Sequence, residues 1–330
     1  MPGPDQTNAS PPTEIAIRDP WLRAAAYQPM VEGGPKVVAL GGGYGLSTTL
    51  RAARHYASSV TGVVSVADDG GSSGRLRRAF GIPAPGDLRR CLVALADHDS
   101  IWAEAFERRF DAMELQGHPL GNIIIAGLTS TLGDFGLAIN EALRLLGAVG
   151  RVVPATAEPV TLKATYMRSG GTLEQPISVQ GVVEGEVLVG RTPGLTEVSV
   201  VPPDPRVPDE ALQAIVNADQ ICIGPGSLFT SVLAVAAIPA IREALQQAKG
   251  QRTYICNLSE QHPETSGFTM SDHVSTILAH GVPLDVIVHD PTRLPLGQPT
   301  EAMIVTRPLA DRTGRLHDAE LLAAALSSLM

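Results

Sequence analysis

Apolar strand-like runs alternate along this chain with segments whose apolar residues recur at helical spacing. The runs at 36–40, 60–67 and 220–223 consist almost entirely of apolar or small residues, as strands do when both faces of their sheet are covered. Segments with helical periodicity, such as 45–55, follow these runs. The alternation predicts an α/β fold in which a mainly parallel sheet is covered by helices on both faces.

The pattern changes between about 158 and 200. Short β-branched runs are separated there by Gly and Pro turns, which is typical of hairpins. These runs lie at 160–166, 177–183, 186–189 and 197–201. We expect a small β-rich insertion within one domain that spans 35–330.

Residues 1–34 are rich in Pro, Gly and polar residues. They lack the basic start and apolar run of a secretory signal, so we expect a mobile tail. No uninterrupted apolar run reaches the roughly 20 residues needed to span a bilayer. Three widely separated cysteines predict reduced, buried thiols and a cytoplasmic protein.

Composition narrows the class of partner. Hydrophobic residues make up 44% of the 330 residues, enough for a sizeable core, and the net charge is −9 without a basic run. A protein that neutralises phosphates along nucleic acid needs clustered Lys and Arg. The charge pattern therefore argues against nucleic acid as the main partner.

Two predicted strands lead directly into glycine clusters that open helices, at 41–47 and 224–231. Glycine lets a backbone turn sharply and approach a ligand, and the N–H groups at a helix start attract phosphate. The first cluster is not a Walker A loop, because no Gly-Lys-Ser/Thr follows. The alternative is a tight turn without a ligand. The expected phosphate-binding residues are Gly41, Gly42, Gly43, Gly45, Ser47, Gly224, Gly226, Ser227 and Thr230.

An acidic pair, Asp68 and Asp69, follows the second predicted strand. Adjacent carboxylates repel each other, so they need solvent, hydrogen-bond donors or a cation. Ribose or sugar hydroxyls and Mg²⁺ near a diphosphate are the candidate ligands, and an acidic turn with Asx capping is the alternative. Arg75 lies close enough in sequence to offset the charge of an anionic ligand.

Two further motifs precede predicted helices. In Pro85-Gly86-Asp87-Leu88-Arg89-Arg90, Asp87 is a good N-cap, and Arg89 either faces a phosphate or belongs to an ordinary capped helix. Asn122 follows Gly117-His118-Pro119 before a very apolar helix, where it is a candidate contact for a base, sugar or phosphate.

A dense polar loop follows the predicted strand at 253–257. Such a loop is suited to hydrogen-bonding a sugar, and we expect Asn257 and Thr265 to face a sugar or uracil, with Phe268 as a stacking surface. The sequence contains no recognisable motif that pairs a catalytic nucleophile with a general base. Catalytic residues therefore remain unassigned.

Six sequence motifs follow one another along the chain: GGGYGLS at 41–47, VADDGGSSGRLR at 66–77, PGDLRRCLVALA at 85–96, GHPLGNIIIAGLT at 117–129, ADQICIGPGSLFTS at 218–231 and SDHVSTILAHG at 271–281. In this order they resemble the motifs of the YvcK/CofD-like superfamily, and specifically of its YvcK branch, the gluconeogenesis factors. A single motif would not be specific, but together the six cover most of residues 36–290.

The resemblance implies a Rossmann-like fold in a cytoplasmic bacterial protein that binds UDP-sugars, notably UDP-N-acetylglucosamine. It also implies a role in cell shape and peptidoglycan precursor supply on gluconeogenic carbon sources, and phosphorylation by a Ser/Thr kinase. The chain departs from the family pattern in the loop at 261–265, in the segment after Asp290 and at two single positions. Tyr44 stands where Thr is usual, and Phe268 stands where a Tyr contacts the UDP-sugar.

The sister branch contains Mg²⁺-dependent phospholactate transferases that act on a deazaflavin. The chain keeps the Asp68-Asp69 pair of that branch, but PGDLRR at 85–90 replaces its Pro-Asp-x-Asp-Thr pattern. We therefore expect a regulator that binds a nucleotide sugar and requires no cofactor. The alternatives are a transferase with Mg²⁺ on Asp68 and Asp69, and an NAD(P)-binding sensor. The sequence leaves undecided whether the protein forms a homodimer, and we expect no contact with a membrane.

Overall fold

Two β-sheets and twelve helices make up the part of the chain described by the computed structural model, residues 30–97, 100–172, 175–298 and 300–330. The predicted tail lies mostly outside these residues. The strands are β1 (Lys36–Gly41), β2 (Ser59–Val64), β3 (Arg151–Pro154), β4 (Thr161–Thr172), β5 (Gln175–Glu184), β6 (Leu195–Val201), β7 (Gln220–Ile223), β8 (Gln251–Ile255), β9 (Val286–His289) and β10 (Met303–Thr306).

The larger sheet has seven strands in the order β10-β9-β8-β7-β1-β2-β3, and every neighbouring pair is parallel. The order reverses between β1 and β7, since the chain proceeds outward from β1 through β2 to β3 and later from β7 to β10. In open α/β sheets this switch point is where ligands bind, beyond the carboxyl ends of the strands. The predicted α/β fold with a parallel sheet is confirmed.

Helices flank this sheet. They are α1 (Gly43–Ala53), α2 (Gly71–Phe80), α3 (Gly86–Leu95), α4 (Ile101–Glu107), α5 (Leu120–Leu132), α6 (Phe135–Leu145), α7 (Glu186–Val189), α8 (Asp209–Val216), α9 (Leu233–Ala236), α10 (Pro239–Gln247), α11 (Met270–Ala279) and α12 (Ala319–Ser327). A π-helical turn, Leu228–Val232, leads into α9.

Apolar side chains of the helices pack directly on the strands. Leu46 and Leu50 of α1 are fully buried, and Leu50 lies so close to β2 that a Cβ added to Gly62 would be 3.0 Å from its Cδ1. This close approach holds α1, and the loop that precedes it, firmly against the sheet.

The smaller sheet is antiparallel, in the order β5-β4-β6. It confirms a β-rich insertion, but Glu186–Val189 forms the helix α7 rather than a strand. Gly185, at φ +98°, turns the chain there, and a carboxylate oxygen of Asp69 accepts a hydrogen bond from the N–H of Val187 at 3.0 Å. A distant side chain thus determines this element, which a local pattern cannot reveal.

Two elements differ from the sequence pattern near the sheet edge. Arg151–Pro154 is a strand of the parallel sheet, which the sequence pattern does not predict. The glycine-rich acidic stretch is a turn only as far as Gly70, because Gly71–Phe80 forms the helix α2. Two glycines and three arginines hide the helical pattern of α2.

Among the described residues, no single helix is long and apolar enough to cross a bilayer. Leu228–Ala236 and Pro239–Gln247 pass such a test only when taken together across a 76° bend.

Candidate functional site

The two glycine clusters meet at the switch point of the sheet. We name residues 41–47 the first glycine loop and residues 224–231 the second. A Cβ added to Gly45 would lie 2.1 Å from the carbonyl oxygen of Pro225, and one added to Gly226 would lie 3.6 Å from that of Gly42. Since backbone meets backbone, glycine at 45 is required for the loops to touch.

Between these loops lies a cavity of about 250 Å³, which we name the glycine crevice. Its walls come from four parts of the chain that the sheet brings to one edge. The lining consists of residues 42–45 and Thr48, residues 225–227 and Ser231, residues 257–259 and Gln261, and residues 315–317. Most of the predicted glycines therefore face one shared cavity.

The hydroxyl groups of α1 bind the backbone. Those of Ser47 and Thr48 donate to the carbonyl oxygen of Tyr44 at 2.8 and 3.0 Å, and that of Thr49 donates to the carbonyl of Gly224 at 3.0 Å. Ser47 is buried and does not line the crevice. These bonds stabilise the first turn of α1 and tie it to the second loop. A phosphate contact by Ser47 stays a prediction.

Asn257 holds the second glycine loop. Its Oδ1 accepts a hydrogen bond from the N–H of Gly226 at 3.1 Å, and its Nδ2 donates to the carbonyl of Gly226 at 2.9 Å. The amide is thereby occupied on both sides. Asn257 lines the crevice, but in this arrangement it positions Gly226 rather than offering free groups to a sugar.

A carboxylate of the protein itself occupies the start of the helical segment after β7. Glu264 is buried and accepts hydrogen bonds from the N–H of Phe229 at 2.6 Å and from the hydroxyl of Ser227. Burial raises the pKa of this carboxyl. Ser227 also lies within hydrogen-bond distance of the Thr230 hydroxyl. The donors that the sequence assigned to a phosphate here are already engaged.

A second carboxylate lies at the start of α1. Asp87 accepts a hydrogen bond from the N–H of Gly43, and burial raises its pKa despite the neighbouring Arg90. The Nη1 atom of Arg90 donates to Oδ1 of Asp87 at 2.6 Å. The guanidinium of Arg90 also lies 4.7 Å from the centre of the Tyr44 ring, a cation–π distance. This contact explains an aromatic residue at position 44.

The two carboxylates of the acidic pair, Asp68 and Asp69, accept hydrogen bonds from different parts of the chain. Asp69 accepts from the N–H of Val187 and so anchors α7. Asp68 accepts from the N–H of Gly70 through Oδ1, and its Oδ2 faces Gly86. The two carboxylates therefore contact different parts of the chain, and a shared metal ion on them stays a prediction.

Glu186, the first residue of α7, was not singled out by the sequence. Burial, followed by the nearby Asp68 and Asp87, raises its pKa to about 7, and it hydrogen-bonds the Thr230 side chain. It joins these two aspartates in a region of negative charge beside the crevice. The local pattern does not reveal Glu186, because the run at 186–189 predicts a strand and not the helix start at which this carboxylate lies.

The donor set suits Mg²⁺ only together with a phosphate. No group of three or more His, Cys, Asp or Glu side chains in the described residues could hold a metal ion. Mg²⁺ in nucleotide sites uses one or two carboxylates plus phosphate oxygens. Asp68 keeps one oxygen free of the Gly70 turn for that role, whereas Asp69 is bonded to the N–H of Val187 and Asp87 is paired with Arg90.

Thr265 and Phe268 lie beside the crevice without lining it. Thr265 is fully buried, and its hydroxyl accepts from the N–H of Gln261 at 2.8 Å. The ring of Phe268 packs edge-on against Phe229 and His273, with centroids 6.4 and 5.5 Å away. Both residues shape the loop that bears Gln261, and their predicted contact with a sugar or uracil stays a prediction.

The C-terminal part of the crevice was missed by the sequence. His317 lies within 3.1 Å of the carbonyl of Cys256, and burial lowers its pKa to about 4, so the ring is neutral at pH 7. Arg315 is exposed and lines the crevice, which makes it a cation for an anionic ligand. Local sequence gives little signal, since 311–317 is a loop placed by tertiary packing.

The remaining predicted residues lie apart from the crevice. Arg89 and Asn122 line a second cavity, of about 280 Å³. Arg75 is on the outer side of α2 and donates to the carbonyl of Gln116 at 2.7 Å. The structure thus separates the sequence-predicted site into two neighbouring cavities.

Comparison with known proteins agrees with this architecture. The family model for 2-phospho-L-lactate transferase CofD matches residues 37–308. A "Gluconeogenesis factor" of Halalkalibacterium halodurans is 42% identical over 258 residues, 77% of each chain. A "Putative gluconeogenesis factor" of Mycobacterium tuberculosis is 39% identical over 310 residues, which cover 89% of this chain and 90% of the M. tuberculosis protein.

Solved structures give the same result. The crystal structure of a UPF0052 family member from Bacillus halodurans superposes with a TM-score of 0.79 at 34% identity, covering 89% of this chain and 98% of that one. Because the family model spans most of the chain and the relatives exceed 30% identity, the chain belongs to the CofD/YvcK family.

Proposed function

We propose that this protein is a gluconeogenesis factor that binds a UDP-sugar, UDP-N-acetylglucosamine, in the glycine crevice as a regulatory ligand in the cytoplasm. The observation that carries the proposal is the direct contact of two glycine loops at the switch point of a parallel sheet. Nucleotides bind at such points because backbone N–H groups and helix dipoles converge there.

The diphosphate belongs on the first glycine loop rather than across both. Glu264 already accepts the N–H of Phe229 at the second helix start, and a phosphate there would meet a carboxylate. At the first loop, Asp87 takes the N–H of Gly43 but is paired with Arg90. The N–H groups of Tyr44 and Gly45 remain as donors toward the crevice.

The remaining groups suit the rest of the ligand. Arg315 would offset diphosphate charge, while Ser259 and Gln261 offer hydrogen bonds to uracil or sugar. The designation of the relatives as gluconeogenesis factors supports a role in carbon metabolism. The regulatory nature of that role and its link to cell shape and peptidoglycan precursors are part of the proposal.

Calorimetric titration with UDP-N-acetylglucosamine tests the proposal, and separate titrations with UDP and NAD⁺ show which ligand binds most tightly. We expect saturable binding by the wild type, and a loss of about tenfold or more in Arg315→Ala, as for a charged hydrogen bond. Arg312→Ala is the matched control, because Arg312 is exposed in the same loop but does not line the crevice. No saturable heat, tighter binding of NAD⁺, or equal effects of both variants would reject the proposal.

A transferase of the CofD type is the second candidate. It is favoured by the acidic groups Asp68, Asp87 and Glu186 beside the crevice, which suit Mg²⁺ at a phosphoryl group. It predicts metal-dependent turnover of a nucleotide-linked phospholactyl donor with a deazaflavin acceptor, lost in Asp68→Asn. If no turnover appears with Mg²⁺ and both substrates present, this candidate fails.

A further inference from the structure

The second cavity is built from arginine side chains and a helix start. We name it the arginine cavity: about 280 Å³, lined by Asp68, residues 70–73, Gly86, Arg89, Arg90, Arg109, Pro119 and Asn122. It shares no lining residue with the glycine crevice. We propose that it binds the phosphate group of a second, small ligand, a phosphate monoester distinct from the nucleotide.

The start of α2 supplies backbone donors. Its N-cap, Gly70, provides no side-chain cap, and its first turn contains no acidic residue. Asp68 accepts the N–H of Gly70, outside the helix proper. Residues 71–73 line the cavity, so the first N–H groups of a ten-residue helix are free of capping side chains on that side. Unlike the starts of α1 and the segment after β7, this one holds no carboxylate.

Arg89 is fixed in the cavity wall before any ligand arrives. Its side chain is 1% exposed and pairs with Glu107 at 2.5 Å, and its Nε donates to Oδ1 of Asn122 at 3.0 Å. Asn122 donates in turn to the hydroxyl of Ser72 at 3.0 Å. A buried guanidinium held this way loses little side-chain entropy when it binds an anion.

Arg90 adds an unused donor. Its Nε is buried and, among the described residues, has no hydrogen-bond partner. A buried unpaired donor is costly unless a ligand satisfies it. Arg109, exposed at the rim, donates through Nη1 to the carbonyl of Gly117 at 2.8 Å. Three guanidinium groups therefore converge on this cavity.

The lining offers an anion directed donors rather than net positive charge. Arg89 and Arg90 are each paired with a carboxylate outside the lining, Glu107 and Asp87, and Arg109 offsets the charge of Asp68. The free oxygen of Asp68 can accept a hydrogen bond, which suits a ligand that carries a hydroxyl group next to its phosphate. This combination indicates a phosphate monoester of a small hydroxylated compound rather than a bare anion.

The two cavities share a wall. Arg90 lines the arginine cavity, and its guanidinium stacks on Tyr44, which lines the glycine crevice. A ligand that draws Arg90 towards itself would weaken the Arg90–Tyr44 contact. Ligand binding in one cavity can therefore change the ligand affinity of the other. The proposal for the arginine cavity nevertheless stands whether or not a nucleotide binds in the glycine crevice.

Calorimetry in phosphate-free, low-salt buffer tests this proposal with inorganic phosphate and glycerol 3-phosphate. We expect saturable binding of both, with glycerol 3-phosphate tighter. Arg109→Gln should weaken both about tenfold, while Arg108→Gln, the adjacent exposed arginine outside the cavity, should bind as the wild type does. Asn122→Asp retains the acceptor for Arg89 and adds a negative charge, so it should abolish binding.

Thermal melts establish whether each variant is folded. If Asn122→Asp does not fold, the comparison of Arg109→Gln with Arg108→Gln still tests the proposal. UDP-N-acetylglucosamine titrated into Arg109→Gln separates the two cavities, and its affinity should be unchanged. The proposal is overturned if neither phosphate compound binds the wild type. It is also overturned if Arg108→Gln and Arg109→Gln are equally weakened, or if phosphate competes with the nucleotide sugar and Arg109→Gln weakens both.

Discussion

The carboxylate of Glu264 accepts a hydrogen bond from the backbone N–H of Phe229 at 2.6 Å, at the start of the helical segment after β7. The protein thus places a carboxylate of its own at both glycine-loop helix starts, but Glu264 takes two donors of the second loop, whereas Asp87 takes the N–H of Gly43 at the first. In the first glycine loop, the glycine backbone and the donors beyond Gly43 remain for a ligand. The asymmetry assigns different roles to two loops that look alike in sequence.

Truncation of this carboxylate should leave an anion site behind. In Glu264→Ala, the Phe229 N–H and the Ser227 hydroxyl lose their acceptor, which costs about 1–3 kcal/mol of unfolding free energy. We expect added acetate to restore part of that loss, measured by urea denaturation. Glu260→Ala, a less buried carboxylate of the same loop, should show no acetate-dependent recovery. Equal responses would contradict a specific cap by Glu264.

Contact between the glycine loops should not tolerate a methyl group. Gly45→Ala would place Cβ 2.1 Å from the Pro225 carbonyl oxygen, so the loops must separate, and we expect lower stability together with weaker nucleotide-sugar binding. Gly127→Ala is the control, since a Cβ there meets nothing within 4 Å in helix α5. It should raise stability by up to about 1 kcal/mol. Thermal melts and calorimetry on both variants give the comparison.

Glu186 should make stability fall as pH rises. Its pKa is raised from 4.5 to about 7 in the folded protein, so the native state binds more protons than the unfolded chain between these values. The stabilisation is complete below pH 4.5 and is lost as pH rises through about 7. Glu186→Gln should therefore be more stable than the wild type at pH 8, by on the order of 2 kcal/mol.

Denaturation curves of Glu186→Gln at pH 5 and pH 8 measure this effect. Glu184→Gln serves as the control, because Glu184 is exposed and its partner Lys163 is 3.6 Å away on the surface. That variant should follow the pH dependence of the wild type. A Glu186→Gln curve parallel to the wild type would show that Glu186 titrates normally.

The Tyr44–Arg90 contact should depend more on the ring than on the hydroxyl, which also hydrogen-bonds Arg90. Tyr44→Phe keeps the aromatic face under the guanidinium, whereas Tyr44→Leu removes it, at a cost of about 0.5–1 kcal/mol for an exposed cation–π pair. Urea denaturation of both variants, repeated in an Arg90→Gln background, gives the coupling energy. Coupling near zero would mean that Tyr44 contributes nothing through Arg90.

Much of the architecture was predictable, since its signals are local. The apolar run of β1 and the glycines after it predicted a strand–loop–helix unit, and the repeated alternation predicted the parallel sheet. The polar loop after the predicted strand at 253–257 was expected to take part in a ligand site, and the structure places Asn257 of that loop beside the second glycine loop. Neighbouring strands place their carboxyl ends at one edge.

The parts that were missed depend on residues distant in sequence. Glu264 reaches back 35 positions to Phe229, and Asp69 caps a helix 118 positions further on, so neither relationship leaves a periodic signal. Arg315 enters the glycine crevice from a loop near the C-terminus. The free-energy contribution of such contacts arises from tertiary packing, which propensity and spacing do not encode.

A crystal structure of the protein with UDP-N-acetylglucosamine tests the central claim most directly. The diphosphate should lie on the first glycine loop, within hydrogen-bond distance of the N–H groups of Tyr44 and Gly45, with Glu264 still bound to Phe229. The sugar or uracil should face Gln261 and Arg315. A diphosphate in the arginine cavity, or one that displaces Glu264 from the second loop, would contradict the account.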